Sequence, residues 1–174
     1  MMTKKIIRKT SLIVLVFIMV VEISSCVSYS FTGASIPPEA KTISIQYIDN
    51  QASFVVPTLS ESLTTEIKDR FSSQTSLVLV RNNGDLQIEG FITDYSTSPQ
   101  AVTSNEQAAL NRLNISVKIK FTNLIEPDKN YETTFSRYND YPSSQDLNSV
   151  QDAQIEIINE MLVDDIFNKA VVNW

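Results

Sequence analysis

Apolar and polar positions alternate most cleanly between residues 113 and 122: Leu113, Ile115, Val117, Ile119 and Phe121 on one side, Asn114, Ser116, Lys118, Lys120 and Thr122 on the other. A period of two sends successive side chains to opposite faces, so this stretch predicts a strand with one buried and one open face. The same rhythm sets Ile43, Ile45 and Tyr47 against Thr42, Ser44 and Gln46, and sets Leu86, Ile88, Gly90 and Ile92 against Gln87, Glu89, Phe91 and Thr93. SLVLV (76–80) and YETTFSRYNDY (131–141) predict two more strands. Asn83-Gly84 carries the residue types of a tight hairpin turn, which would join SLVLV to the strand after it. From residue 96 to 110, STSPQAVTSNEQAAL breaks the alternation and predicts a long loop.

Two stretches change period. Leu59, Leu63, Ile67 and Phe71 recur every fourth residue, which makes an apolar stripe along a helix. Thr58 and Glu61 are spaced for a capping box at its start, just after Pro57. From about residue 148 to the end, Ile155, Ile158, Leu162 and Ile166 line a second, longer helix. Strand, helix and strand in series favour a parallel crossover. The expected fold is α+β: a two-layer sandwich with a mixed four- to five-stranded sheet and both helices on one face. The other face would show Gln87, Glu89, Phe91, Lys118 and Lys120, a mixture suited to water or to a wet protein interface.

The first residues belong to another pattern. Leu12 to Val21 are ten consecutive apolar residues, about half of what a helix needs to cross a bilayer. Lys4, Lys5, Arg8 and Lys9 precede them, and Ser24-Ser25-Cys26 follows. This is a signal peptide whose small-residue step ends on a cysteine, the arrangement of a bacterial lipoprotein leader. Residues 1–25 are expected to be removed, Cys26 to carry the lipid, 26–40 with Pro37-Pro38 to form a tether, and 41–174 to form one α+β domain. Acylation also disposes of a lone thiol that has no disulfide partner. Each buried methylene contributes about 0.8 kcal/mol, so several acyl chains hold firmly.

Without its leader the chain carries a net charge of −9, which is no footprint for nucleic acid. There is no histidine, hence no Ser-His-Asp or Cys-His machinery and no His-ligated zinc. Gly33, Gly84 and Gly90, the three glycines, form no phosphate loop. No cofactor, metal or catalytic residue is expected. The pair Asp164-Asp165 reads as a solvated helix face, since neighbours on a helix point about 100° apart.

SFTGASIPPEAKTISIQY, QAALNRLNISVKIKFTN, FSRYNDY and IFNKAVVNW closely resemble the Bacteroidetes-type branch of the lipopolysaccharide-assembly lipoprotein family, LptE, over essentially the whole mature chain. The resemblance implies a two-helix domain at the periplasmic face of the outer membrane. It also implies that the domain plugs the large β-barrel of the lipopolysaccharide translocon, LptD, and helps deliver lipopolysaccharide. The uncharged VSYSF after Cys26 fits that address. On this reading the 96–110 loop and the open strand face, with Phe91, Tyr95, Gln107, Arg112, Lys118 and Lys120, are candidate contacts with the barrel or the glycolipid. Arg112, Lys118 and Lys120 are the densest basic cluster of the otherwise acidic domain and could pair with lipid A phosphates. The alternative is a lipid-anchored periplasmic scaffold for another envelope partner.

Overall fold

A computed structural model describes residues 36–100 and 109–171. Cys26, the tether up to residue 35 and Gln107 lie outside the described residues. The elements run β1 (Thr42–Ile45), β2 (Asp49–Asn50), α1 (Pro57–Gln74), β3 (Val78–Val80), β4 (Leu86–Gln100), β5 (Leu110–Asn123), a 3-10 turn (Pro127–Lys129), β6 (Tyr131–Pro142) and α2 (Leu147–Val171). The sheet is ordered β3-β1-β4-β5-β6, with the short β2 paired to β4. β1 is parallel to both β3 and β4, whereas β4, β5 and β6 form an antiparallel meander. The expected mixed sheet and the parallel pair joined through α1 are both present.

One sheet face carries the core. Leu59, Leu63, Ile67 and Phe71 from α1, and Ile158, Leu162 and Ile166 from α2, are sealed from solvent together with Ile43, Ile88, Ile92, Leu113, Ile115, Val117 and Ile119. Phe71 and Phe167 meet edge to face at 5.1 Å where the helices touch. Beside them Asn159 Nδ2 donates to Ser62 Oγ at 3.0 Å and to Glu66 Oε1 at 3.3 Å. Asp164 and Asp165 are only partly solvated, and each is ion-paired. Asp164 pairs with Arg70 of α1, while both oxygens of Asp165 accept from Arg137 of β6 at 2.6 Å. The 100° step between neighbours sends the two carboxylates to different elements, so together they pin α2 to both.

Four local expectations are not met. The capping box at Thr58 and Glu61 does not form: the helix starts at Pro57, behind Val56, and no side chain caps it. Proline at the first helical position needs no donor and brings a suitable φ, so Thr58 falls inside the helix. Asn83-Gly84 closes no hairpin either, because β1 lies between β3 and β4 and residues 81–85 carry the chain across β1. Asn83 does take a positive φ of 56°. A Cβ on Gly84 would stand 2.5 Å from Ser44 N and 2.7 Å from the Ile43 carbonyl carbon, so the crossing requires glycine. The crossing loop covers Ser44 and Gln46: Gly84 N–H donates to Ser44 Oγ at 3.3 Å, and Gln46 Nε2 donates to Arg81 O and Asn82 Oδ1.

Residues 96–100 and Leu110 are strand, not loop, and β4 and β5 remain paired from Ser96↔Asn114 to Gln100↔Leu110. Residues 96–99 are exposed, so neither face there needs apolar side chains, and the alternation stops while the backbone ladder continues. Finally, β1 ends at Ile45, which leaves Tyr47 about half exposed and gives the buried place to Ile48.

Candidate functional site

The helix-free sheet face is built from alternate residues of three long strands, and the pairing register fixes which side chains meet there. Glu89 and Phe91 of β4 lie opposite Lys120 and Lys118 of β5, and those lysines lie opposite Glu132 and Thr134 of β6. Lys120 Nζ is 3.2 Å from Glu89 Oε2, and Lys118 forms an ion pair with Glu132. These four side chains, with Gly90 and Phe91, line a shallow depression of about 250 Å³. The Lys118 ammonium holds the Glu132 carboxyl below its ordinary range, chiefly through their hydrogen bond.

Farther along the same face, Arg112 Nε and Nη2 grip both oxygens of Asp140 at 2.7 and 2.8 Å. The guanidinium also stacks 3.6 Å from the ring centroid of Tyr138. This bidentate bond depresses the Asp140 carboxyl. Between the two ionic groups, Asn114 Nδ2 donates to Asp94 Oδ2 at 2.9 Å, and the hydroxyls of Ser116 and Ser136 are 2.7 Å apart. The face is therefore a largely polar surface on which Arg112, Lys118 and Lys120 are already matched by carboxylates on the next strand.

Of the residues expected at the site, Phe91, Arg112, Lys118 and Lys120 share this face. Tyr95 does not: it is only 6% exposed and lies on the core side. The β4–β5 register shifts between Ile92 and Asp94, and the extra residue returns Tyr95 to the side of Ile92, opposite Ile115. Its ring stacks on Phe54 at 5.6 Å. Among the described residues its hydroxyl has no hydrogen-bond partner, and burial, with smaller effects from Tyr141 and Asp152, pushes it up to about 12. The alternation places Glu89 on this face, but its pairing with Lys120, and Glu132 and Asp140 altogether, went unnoticed in the sequence, since each carboxylate meets its cation only across a neighbouring strand. Opposite charges at alternating positions of consecutive strands were the available signal.

Chemically, the face offers hydrogen bonds, matched charges and two aromatic rings. Among the described residues no group of three or more acidic or thiol side chains is placed to hold a metal ion, and no helix is long and apolar enough to cross a membrane.

Comparison with solved structures relates the fold to proteins of known structure from two bacteria. A minor lipoprotein from Acinetobacter baumannii superposes with a TM-score of 0.50 at 15% identity, covering 75% of this chain and 91% of that one. A hypothetical protein from Chlamydia trachomatis gives 0.50 at 9% identity, covering 75% and 97%. Likeness at such low identity is one of fold. No curated protein matches the chain. The family model described as LptE, lipopolysaccharide-assembly, matches residues 40–170. That span runs from the residue before Lys41 to the last turn of α2 and takes in the whole described sheet, so the chain belongs to the lipopolysaccharide-assembly family, LptE.

Proposed function

We propose that the protein is a lipid-anchored component of the lipopolysaccharide export machinery at the periplasmic face of the outer membrane. In this reading Cys26 carries the anchor, and the helix-free face and the paired strand ends 96–100 and 110–114 seat against a β-barrel partner of the LptD type. The family match over residues 40–170 carries the proposal. The character of the open face supports it: a polar barrel wall accepts a wet interface of hydrogen bonds with a few aromatic anchors, and Phe91 and Tyr138 supply such anchors. A tether raises the effective concentration of the two partners, so modest contacts suffice. Glycolipid phosphates would have to displace Glu89, Glu132 and Asp140 from Lys120, Lys118 and Arg112. The face is therefore assigned first to protein and only second to lipopolysaccharide. The part played in assembly is non-catalytic.

The test is affinity capture of the full-length tagged protein from detergent-solubilised envelopes, with mass spectrometry of its mature N-terminus. Co-capture of an outer-membrane barrel, an acylated Cys26 and less surface lipopolysaccharide on depletion are the expected results. Capture of a different envelope partner, with lipopolysaccharide delivery intact, would replace this reading with the scaffold alternative.

A further inference from the structure

The turn between β5 and β6 is held rigidly by side-chain amides. The Oδ1 of buried Asn123 accepts from the backbone N–H groups of Ile125 and Glu126 at 2.9 and 2.8 Å, and Asn123 N–H donates to Asn130 Oδ1 at 2.6 Å. Amides that replace backbone partners in this way fix a turn. Yet its apex presents two adjacent apolar residues to solvent, with Leu124 55% and Ile125 38% exposed. A single exposed leucine is ordinary. A braced apolar pair at a loop tip has a definite direction in which it can meet an apolar phase.

The position of that tip makes it informative. Asp85 Oδ2 accepts from Lys41 N–H at 2.8 Å and from Thr42 N–H and Oγ1, each at 2.9 Å. The backbone carbonyl of the same Asp85 accepts from Leu124 N–H at 2.9 Å. One residue thus holds the root of the tether and the apolar tip side by side. Ile36 lies ten residues after Cys26, and at about 3.5 Å per residue that length of chain spans at most about 35 Å. Lys41 shares Asp85 with the tip, Lys129 lies on the same turn, and Lys169 lies over the Tyr131 ring at this end of the sheet. Glu126 and Asp128 lie on the same turn, so charge at this end is mixed and the attraction is an apolar one.

We propose that Leu124 and Ile125 dip into the boundary between headgroups and acyl chains of the leaflet that holds the anchor, so that the domain stands on the β5–β6 turn. The partner surface is lipid, and the inference rests on the anchored reading given above. A tether alone leaves the orientation of the domain unset, whereas a second contact beside its root fixes which end faces the bilayer.

The test uses the lipidated full-length protein, whose only native cysteine is occupied by lipid, so a single introduced cysteine can be labelled. Leu124→Cys, Ile125→Cys and, beside Tyr95 in the far half of β4, Phe54→Cys are each coupled to an environment-sensitive fluorophore. They are then reconstituted in phosphatidylethanolamine–phosphatidylglycerol vesicles with a nitroxide on the upper acyl chain. Labels at 124 and 125 should shift to the blue, be quenched by the nitroxide and resist aqueous iodide, while the label at 54 should do the reverse. Labels at 124 and 125 as open to iodide as the one at 54 would overturn the proposal. Vesicle flotation and the mass of the N-terminal peptide are read on the same samples. Floating, acylated protein with wet labels rejects the turn contact alone; a bare sulfur without flotation rejects both the contact and the anchor.

Discussion

The two faces of the sheet are made by the same strands and differ in what satisfies them. On the helix side, Ile88, Ile115, Val117 and Ile119 are fully buried under α1 and α2, and what they gain is loss of contact with water. On the open side, Glu89, Lys118, Lys120 and Glu132 find one another across strands. The first face needs its helices to exist. The second is complete without a partner, and exposed pairs of this kind contribute little to stability. The fold is thus carried by one face, while the other is free to be shaped for an interface. A partner must match a surface whose charges are already neutralised, which favours geometric fit over simple attraction.

Substitutions on each face should break that symmetry unequally. Ile119→Ala, in the core layer, should lower stability by about 3 kcal/mol in a denaturant titration, through lost burial and the cavity left behind. Gly84→Ala should cost about 2 kcal/mol, because the new methyl meets β1 backbone that has no easy way to yield. Arg112→Ala, which removes the Asp140 pair and the Tyr138 stack, should shift the denaturation midpoint less than either of these, and Lys118→Ala least of all. Equal losses from Ile119→Ala and Lys118→Ala would end the distinction.

The smallest effects should appear in the pH profile. Asp85, Glu132 and Asp140 have folded-state carboxyls below their ordinary values, through hydrogen bonds from Lys41, Lys118 and Arg112 respectively. Their contribution is complete above the unfolded values near about 4 and fades as pH falls through the depressed folded ones. Glu66 goes the other way. Burial between the helices, reinforced by Glu156 and Glu160 against the hydrogen bond from Asn159, raises its carboxyl. The charged form therefore weakens the fold at neutral pH, and stability returns as pH drops through the raised folded value. Thermal melts of the wild type against Glu66→Gln should converge or cross as pH falls from 7 toward 4, and parallel profiles would refute this.

The helical stripes and the β5 alternation were legible because periodicity depends on near neighbours: Leu59 to Phe71, and Leu113 to Phe121, are buried as their spacing demands. The same logic placed Phe91, Arg112, Lys118 and Lys120 on one face. What sequence could not convey was register and order. Asn83-Gly84 has every local feature of a hairpin turn, yet β1, from some 40 residues earlier, takes the place between its two strands. Tyr95 is inward because of a one-residue bulge, and a slip of one reverses every side chain beyond it. The carboxylate partners of the basic cluster were hidden for the same reason, since pairing across strands exists only once the register is set.

The central claim, that the open face rather than the helix layer meets the partner, is tested most directly by photocrosslinking in living cells. A photoreactive residue is placed at Phe91 or Lys118 and, for comparison, at the exposed Ile157 of α2. The account predicts adducts to an outer-membrane β-barrel from 91 and 118, and none from 157. Barrel adducts from 157 with none from 91 and 118 would contradict it.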